Sequence, residues 1–261
     1  MADFLFSDRG RLLELVALCG ILWTVESLIP LYRYPAGRLR HGLPNVALTV
    51  LLIATNLVLS FGSAGLVAYA SERRFGLLFL HPVPAAVTAV VGIVVLDFLA
   101  YVAHVLLHKT SLGWRFHRVH HCDAHVDVTT AFRQHPGETL WRVGWQVAGT
   151  LALGLPLWAL LIYLVLSTTN AELEHANVRV GDRADRWIRL AFVTPHMHKV
   201  HHSRDKRETD SNYSNIFSVW DRLFGTHTAP VDFGALRYGL DGLEGKRAET
   251  LRGLLALPFQ P

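Results

Sequence analysis

Leu153-Gly154-Leu155-Pro156 breaks an apolar run that extends over residues 140–166. The run is longer than the roughly 20 residues a helix needs to cross a bilayer, so two chain paths are open. A single crossing would leave residues 109–139 and the segment after 166 on opposite sides of a membrane. A turn at 153–156 would return the chain to the side it came from, and Gly and Pro are the residue types such a turn uses. The flanking segments decide between the two. His117-Arg118-Val119-His120-His121 precedes the run and His198-Lys199-Val200-His201-His202 follows it, both with the pattern H-x-x-H-H. Clusters that share a metal must lie on one side, so the hairpin is the path expected; it follows from the shared site and gives that site no independent support.

Of the 261 residues 51% are hydrophobic, and the mean hydropathy of +0.28 is that of a membrane protein. The formal charge is +4, and 18 of the 25 Lys and Arg residues lie from Lys109 onward. This basic excess fits cytoplasmic segments facing anionic headgroups rather than nucleic acid. The two cysteines, Cys19 and Cys122, form neither a disulfide framework nor a C-x-x-C zinc site. Met1-Ala2-Asp3-Phe4 lacks a basic region and no cleavage site follows the first apolar run, so a removed signal peptide is not expected.

Four apolar runs are legible: 12–31, 44–70, 84–107 and 140–166. Glu14 and Glu26 interrupt the first and are expected near the two interfaces, where charge costs least. The loop 32–43 carries three Arg, against two in each of the segments that would lie outside, a weak positive-inside bias. The third run contains Asp97, Tyr101, His104 and His108, spaced along one stripe of a helix. A carboxylate inside an apolar span is costly and points to function, either orienting a ligand histidine or packing one helix against another. The expected architecture is an all-α integral membrane domain over 1–261, with about four transmembrane or re-entrant segments and a cytosolic, histidine-rich helical cap.

Imidazole suits iron, zinc or copper. His104-x-x-x-His108 and the two H-x-x-H-H clusters offer eight imidazoles, too many for one tetrahedral ion but suited to two ions side by side. His175, at the end of the hairpin's second arm, and His135, before Pro136, are further candidates. His125 is a weaker one. His41, His81 and His227 read as ordinary loop residues, and His196 points away from His198 on a helix.

At these residues the chain resembles the fatty acid hydroxylase/sterol desaturase superfamily of membrane di-iron enzymes. The pattern H-x-x-x-H, H-x-x-H-H, a further histidine, then H-x-x-H-H falls on His104 and His108; His117, His120 and His121; His175; and His198, His201 and His202. Asp210-Ser211-Asn212-Tyr213 and Trp220 to Thr226 are also similar, and the resemblance covers about 84–226. It implies two iron ions (Fe2+/Fe3+) held by those nine histidines, O2 as co-substrate, a lipid substrate, and electrons from a separate cytochrome b5-, ferredoxin- or reductase-type donor. The heme-binding motif of a fused cytochrome b5-like domain is absent. Members include fatty acid and sphingolipid hydroxylases, sterol oxidases and desaturases, carotenoid hydroxylases and alkylglycerol monooxygenases, and His135 matches only some of these branches. Asp97 or Glu174 is expected to support the ligands, and Tyr101 to lie close to substrate entry. The competing reading is a zinc protein, a membrane hydrolase or a metal-binding or transport module. Transport should put charged groups deep in several spans, and a hydrolase needs only three ligands and one base.

Overall fold

The computed structural model describes residues 8–33, 37–229, 232–243 and 248–260, so the N-terminal reading at Met1–Phe4 lies outside the described residues. Five long helices carry the fold: α1 (Asp8–Leu28), α2 (Arg38–Glu72), α3 (Ala85–Lys109), α5 (Pro136–Leu153) and α6 (Leu157–His175). Shorter ones build a cap at one end: α4 (Ser111–His121), α7 (Asp182–Ile188), α8 (Pro195–His201), α9 (Lys206–Thr209), α10 (Val219–Leu223) and α11 (Leu251–Ala256), with 3-10 turns at Val128–Phe132 and Leu257–Phe259. Among the described residues no strand forms beyond two isolated bridges, Pro30 with Val178 and Phe192 with Phe217.

The run 140–166 is a hairpin. Gly154 ends α5 in the left-handed region (φ 72°) and Pro156 precedes α6, so both arms return to the cap. The turn is seated against the connection between α2 and α3. A Cβ on Gly76 (φ 120°) would lie 2.2 Å from the Gly154 nitrogen, and one on Gly154 would lie 2.7 Å from the Phe75 carbonyl oxygen. Side chains of the hairpin (Leu153, Leu155, Leu160, Tyr163) join Leu96 of α3 and Ile216 of the cap in one core cluster.

Two stretches, Arg38–Phe79 and Ala85–Lys109, are long and apolar enough to cross a membrane. Val46, Val50, Val58 and Phe61 on the first and Val87, Val90 and Val94 on the second are exposed. The first apolar run does become a helix, α1, and both of its acids have partners inside the protein. Glu26 is 2% exposed and accepts from the backbone N–H of Val128 (2.8 Å) and Asn177 (2.7 Å), with Arg38 as ion-pair partner. Glu14 accepts from the Thr169 hydroxyl at 2.5 Å. Partners inside the protein replace the water each carboxylate gives up.

Local chemistry starts the cap elements. The Thr110 hydroxyl accepts from Gly113 N–H to cap α4, and Thr194 does the same for Met197 at the start of α8. Asp127 caps the 3-10 turn at 128–132 through a capping box with Thr130. Arg118 then ties α4 to the C-terminal segment through the carbonyls of Leu257 and Gln260.

Gly76→Ala should lower stability by about 2–4 kcal/mol, because the new methyl meets backbone and the residue must keep a positive φ. A drop in the thermal midpoint of detergent-purified protein, with Gly65→Ala (open space around the Cβ) close to wild type, checks it.

Candidate metal centre

α3, α4, α6 and α8 each end in histidines, and the hairpin brings all four ends together. Nine imidazoles collect there in two adjacent groups. The first holds His104, His108, His117, His121 and His201, and the second His120, His175, His198 and His202; within each, one nitrogen per ring lies within 4.8 Å of all the others. The i, i+4 pairs come from single helices, while His120 and His121 diverge, one into each group. The groups touch: the rings of His121 and His202 stack with centroids 4.7 Å apart.

The inward atoms are mostly Nε2. In the second group His175 Nε2 lies 3.1 Å from His120 Nε2, 2.9 Å from His198 Nε2 and 3.1 Å from His202 Nε2. In the first, His117 Nε2 is 3.0 Å from His104 Nε2 and 3.2 Å from His121 Nε2. Several of the outward Nδ1 atoms are tethered. Those of His104, His175 and His201 donate to the carbonyls of Tyr213, Ala171 and Ser211, each at 2.7 Å. A carbonyl only accepts, so these three rings carry their proton on Nδ1 and turn the Nε2 lone pair inward, the tautomer a metal ligand needs. His121 Nδ1 meets the Thr209 hydroxyl at 3.3 Å and His108 Nδ1 faces Asp210 Oδ1 at 3.5 Å.

The donor set fits metal ions. An ion bound about 2.1 Å from each nitrogen sets neighbouring nitrogens roughly 3.0 Å apart at right angles and roughly 3.4 Å apart in a tetrahedron. The short separations fall in the first range. Burial pushes the cap histidines His117, His120, His121, His198, His201 and His202 well below their ordinary value of 6.5, with neighbouring rings adding to the effect. They are therefore neutral at pH 7 and available as ligands.

The lower half of the α3 stripe does other work than expected. Asp97 accepts from the backbone N–H of Ile216 and Phe217 (both 3.0 Å) and from Trp220 Nε1 (2.8 Å), and neither oxygen meets a histidine. It anchors the segment 213–224, whose Tyr213 carbonyl orients His104. Tyr101 is 4% exposed, bonds the Thr226 hydroxyl (3.0 Å) and packs edge-on against Tyr213, which in turn contacts His104. Seven and three residues before His104, these positions are one or two turns below the site. Glu174 does approach it: Oε1 lies 3.8 Å from both His175 Nδ1 and His198 Nε2.

His135 is not in either group. Its Nδ1 accepts from Gly137 N–H and caps α5, against Phe116 and Phe259. His196 faces Asp185 and Phe233, and His125 packs edge-on against His41. Two residues the sequence reading missed stand beside the histidines. Glu138, fully buried, places Oε1 3.0 Å from His117 Nδ1 and 2.8 Å from Arg142 Nε. Its sequence signal, a Glu in the first turn of a helix, reads as an ordinary capping residue. Lys199, also fully buried, donates to the His175 carbonyl; burial brings its ammonium down to about 8, against the pull of Glu26, Asp127, Asp123 and Glu174. It was hidden as an unspecified position of H-x-x-H-H.

The family model described as Fatty acid hydroxylase matches residues 89–226, a span that begins in α3 and takes in all nine histidines. The chain belongs to the fatty acid hydroxylase family. Ornithine lipid hydroxylase OlsE of Rhizobium tropici is 32% identical over 67% of this chain and 51% of its own length. Alkylglycerol monooxygenase of Homo sapiens is 28% identical over 75% of this chain and 42% of its own. Very-long-chain aldehyde decarbonylase GL1-8 of Oryza sativa subsp. japonica is 29% identical over 69% and 66%. The chain thus spans about half the length of the first two relatives. No solved structure matches it. The family and the two apolar helices together mark a membrane protein.

Two tests follow from the geometry. Folded rings with depressed affinity for protons bind fewer protons than the unfolded chain below pH 6.5, so stability falls as pH falls through that value. Chelator-treated protein should show a thermal midpoint that drops from pH 7.5 to 5.5, and a flat profile would contradict neutral buried rings. Glu138→Gln should weaken metal retention by about 10- to 100-fold, the usual cost of losing a carboxylate behind a ligand histidine, measured by chelator competition.

Proposed function

We propose that this chain is a membrane-bound non-heme di-iron oxygenase that hydroxylates a C–H bond of a lipid. The reaction consumes the substrate C–H, O2, two electrons and two protons, and yields the alcohol and water; the electrons come from a separate cytochrome b5-, ferredoxin- or reductase-type donor. The observation that carries the reading is the pair of adjacent all-histidine groups, five and four rings, with proton positions fixed outward at three of them. Bound iron supplies the reduction of O2 and the oxidation of the substrate.

The chain's own residues do the rest. His104, His108, His117, His121 and His201 would hold one ion and His120, His175, His198 and His202 the other. The carbonyls of Tyr213, Ala171 and Ser211 and the carboxylates of Glu138 and Asp210 fix ring orientation. Glu174 is the carboxylate at the second group, and Asp97 and Tyr101 act through the segment they anchor. The activities for which two relatives are named, lipid hydroxylase and alkylglycerol monooxygenase, support oxygen insertion over desaturation and a lipid over a sterol. A cavity of about 280 Å3 lined by Leu107, Leu112, Phe116, Leu140, Trp141 and Glu138 supports an apolar substrate chain beside the first group. In this reading α2, α3 and the hairpin α5–α6 pass through the bilayer, with the histidine end at the cytoplasmic face.

Protein purified in detergent from iron-replete cells should hold two irons per chain with the spectroscopic signature of a coupled pair. His120→Ala and His201→Ala, one from each group, should each lower the metal content and abolish turnover. His196→Ala should keep both irons. A single zinc, with no iron taken up on reconstitution, would replace this reading with that of a zinc hydrolase or structural site.

A further inference from the structure

The cap does not stop at the level of the histidines. Asp97, which holds Ile216, Phe217 and Trp220, precedes His104 by seven residues, or about 10 Å along a helix. On α6, Ser167 accepts from Asn215 Nδ2 at 2.6 Å and lies eight residues, about 12 Å, before His175. Trp220 and Phe224 also pack on Phe98, with centroids 5.2 and 5.8 Å apart. Two helices thus independently place 215–220 about two turns below the metal centre, alongside the bundle, while Tyr213 stays at the centre with its carbonyl on His104.

A second segment is fixed to its outer side. Val193 N–H donates to the Ile216 carbonyl (3.0 Å), Ser218 N–H to the Ala191 carbonyl (3.1 Å), and Arg222 Nη2 to the Arg189 carbonyl (2.6 Å). The joined segments expose a run of large apolar side chains: Trp187 (69%), Ile188, Leu190, Phe192, Leu223 (67%) and Phe224. A contiguous patch of this kind marks a surface that is covered in use. Exposed Arg183 and Arg186 flank Trp187 on α7, and the stretch Arg179–Arg189 carries four arginines against two aspartates, one of them buried on Thr194 and Arg189.

We infer that α7, the residues to Phe192, and Val219–Phe224 form a platform inserted into the lipid leaflet on the histidine side. The aromatic and leucine side chains lie among the acyl chains, and Arg183 and Arg186 reach anionic phosphates above them. The inference rests on the reading that α3 crosses the bilayer with His104 and His108 at one interface. Depth selects the occupant: at about 10–12 Å below His104 and His175, which this reading puts at the interface, the surroundings are the headgroup and acyl boundary, where amphipathic segments settle. Long Arg side chains bridge the remaining distance to the phosphates.

The test uses the full chain in nanodiscs of phosphatidylcholine and phosphatidylglycerol, on a Cys19→Ser background. Nitroxides are placed singly through Trp187→Cys, Leu223→Cys, Val90→Cys and Asp241→Cys, and relaxation by O2 is compared with relaxation by a water-soluble nickel chelate. The O2 preference at 187 and 223 should exceed that at 241 several-fold and lie below that at 90, which is deeper in the bilayer. Water-like labels at 187 and 223 with a lipid-like label at 90 would overturn the platform alone. A water-like label at 90 as well would overturn the crossing of α3 on which it rests. Dipolar broadening at 187 or 223 would mean that a second copy of the chain covers the patch, and would equally overturn it. Unlabelled protein gives an independent readout: dibrominated lipid should quench its tryptophan emission, and Trp187→Phe should remove a measurable share of that quenching. No change on that substitution would count against insertion.

Discussion

Nine imidazoles can share so small a volume only if all are neutral and each has its proton pointing away from the others. Burial enforces neutrality, since a charged ring there would lose its hydration and face its neighbours' charge. Direction is enforced by the shell. Backbone carbonyls from three different segments take the Nδ1 protons of His104, His175 and His201, while Glu138, Asp210 and Thr209 stand behind His117, His108 and His121. His108 and His117 face their carboxylates without a hydrogen bond at Nδ1, and His120, His198 and His202, all in the second group, have no Nδ1 partner among the described residues. The first group is therefore tethered more fully than the second.

The shell has its own foundations. Asp221 accepts from Tyr213 N–H and Ser214 N–H, Asp97 from the next two backbone amides but one, and Asn212, at a positive φ of 51°, ties the same turn to the carbonyls of Met197 and Thr228. Two carboxylates thus satisfy four amides of one irregular segment that would otherwise be buried unpaired, at roughly 1–3 kcal/mol each. The regularity lost in strand or helix is replaced by side-chain acceptors. An acid inside the apolar α3, open in the sequence to a role behind a ligand histidine or in packing one helix on another, here anchors backbone.

What was legible in the sequence is what periodicity and spacing encode. The turn at Gly154 was readable because left-handed backbone and a following proline have few alternatives, and the nine histidines because helices put i and i+4 on one side. The distribution of the rings between two groups was not, since it depends on how four helix ends meet. Glu138 escaped notice because its contact is made across 21 residues of chain to His117. The partners of Glu26 were not legible because a hydropathy scale sees a charge in an apolar run and knows nothing of the two amides and the arginine waiting for it.

Those amides belong to a buried polar layer that joins the apolar helices to the cap. Asn45 of α2 donates to Asp123 and Thr129 and accepts from Arg133; Arg133 also reaches the carbonyls of Val119 and Ala248. Asp123 takes the Thr130 hydroxyl and faces His41, and it is held below the usual carboxylate range because Arg133, His41 and Thr130 outweigh its burial. Such a layer gains little stability over an apolar one, since each charge gives up its hydration. It does restrict geometry. An apolar seam between α2 and the cap would tolerate sliding or rotation by a turn, whereas these hydrogen bonds have one register. Because α4 ends two residues before Asp123, that register is also the register of His117, His120 and His121. The polar layer therefore sets where the first H-x-x-H-H stands relative to the helices that carry His104, His108 and His175, and the metal centre inherits its alignment from contacts that include none of its ligands.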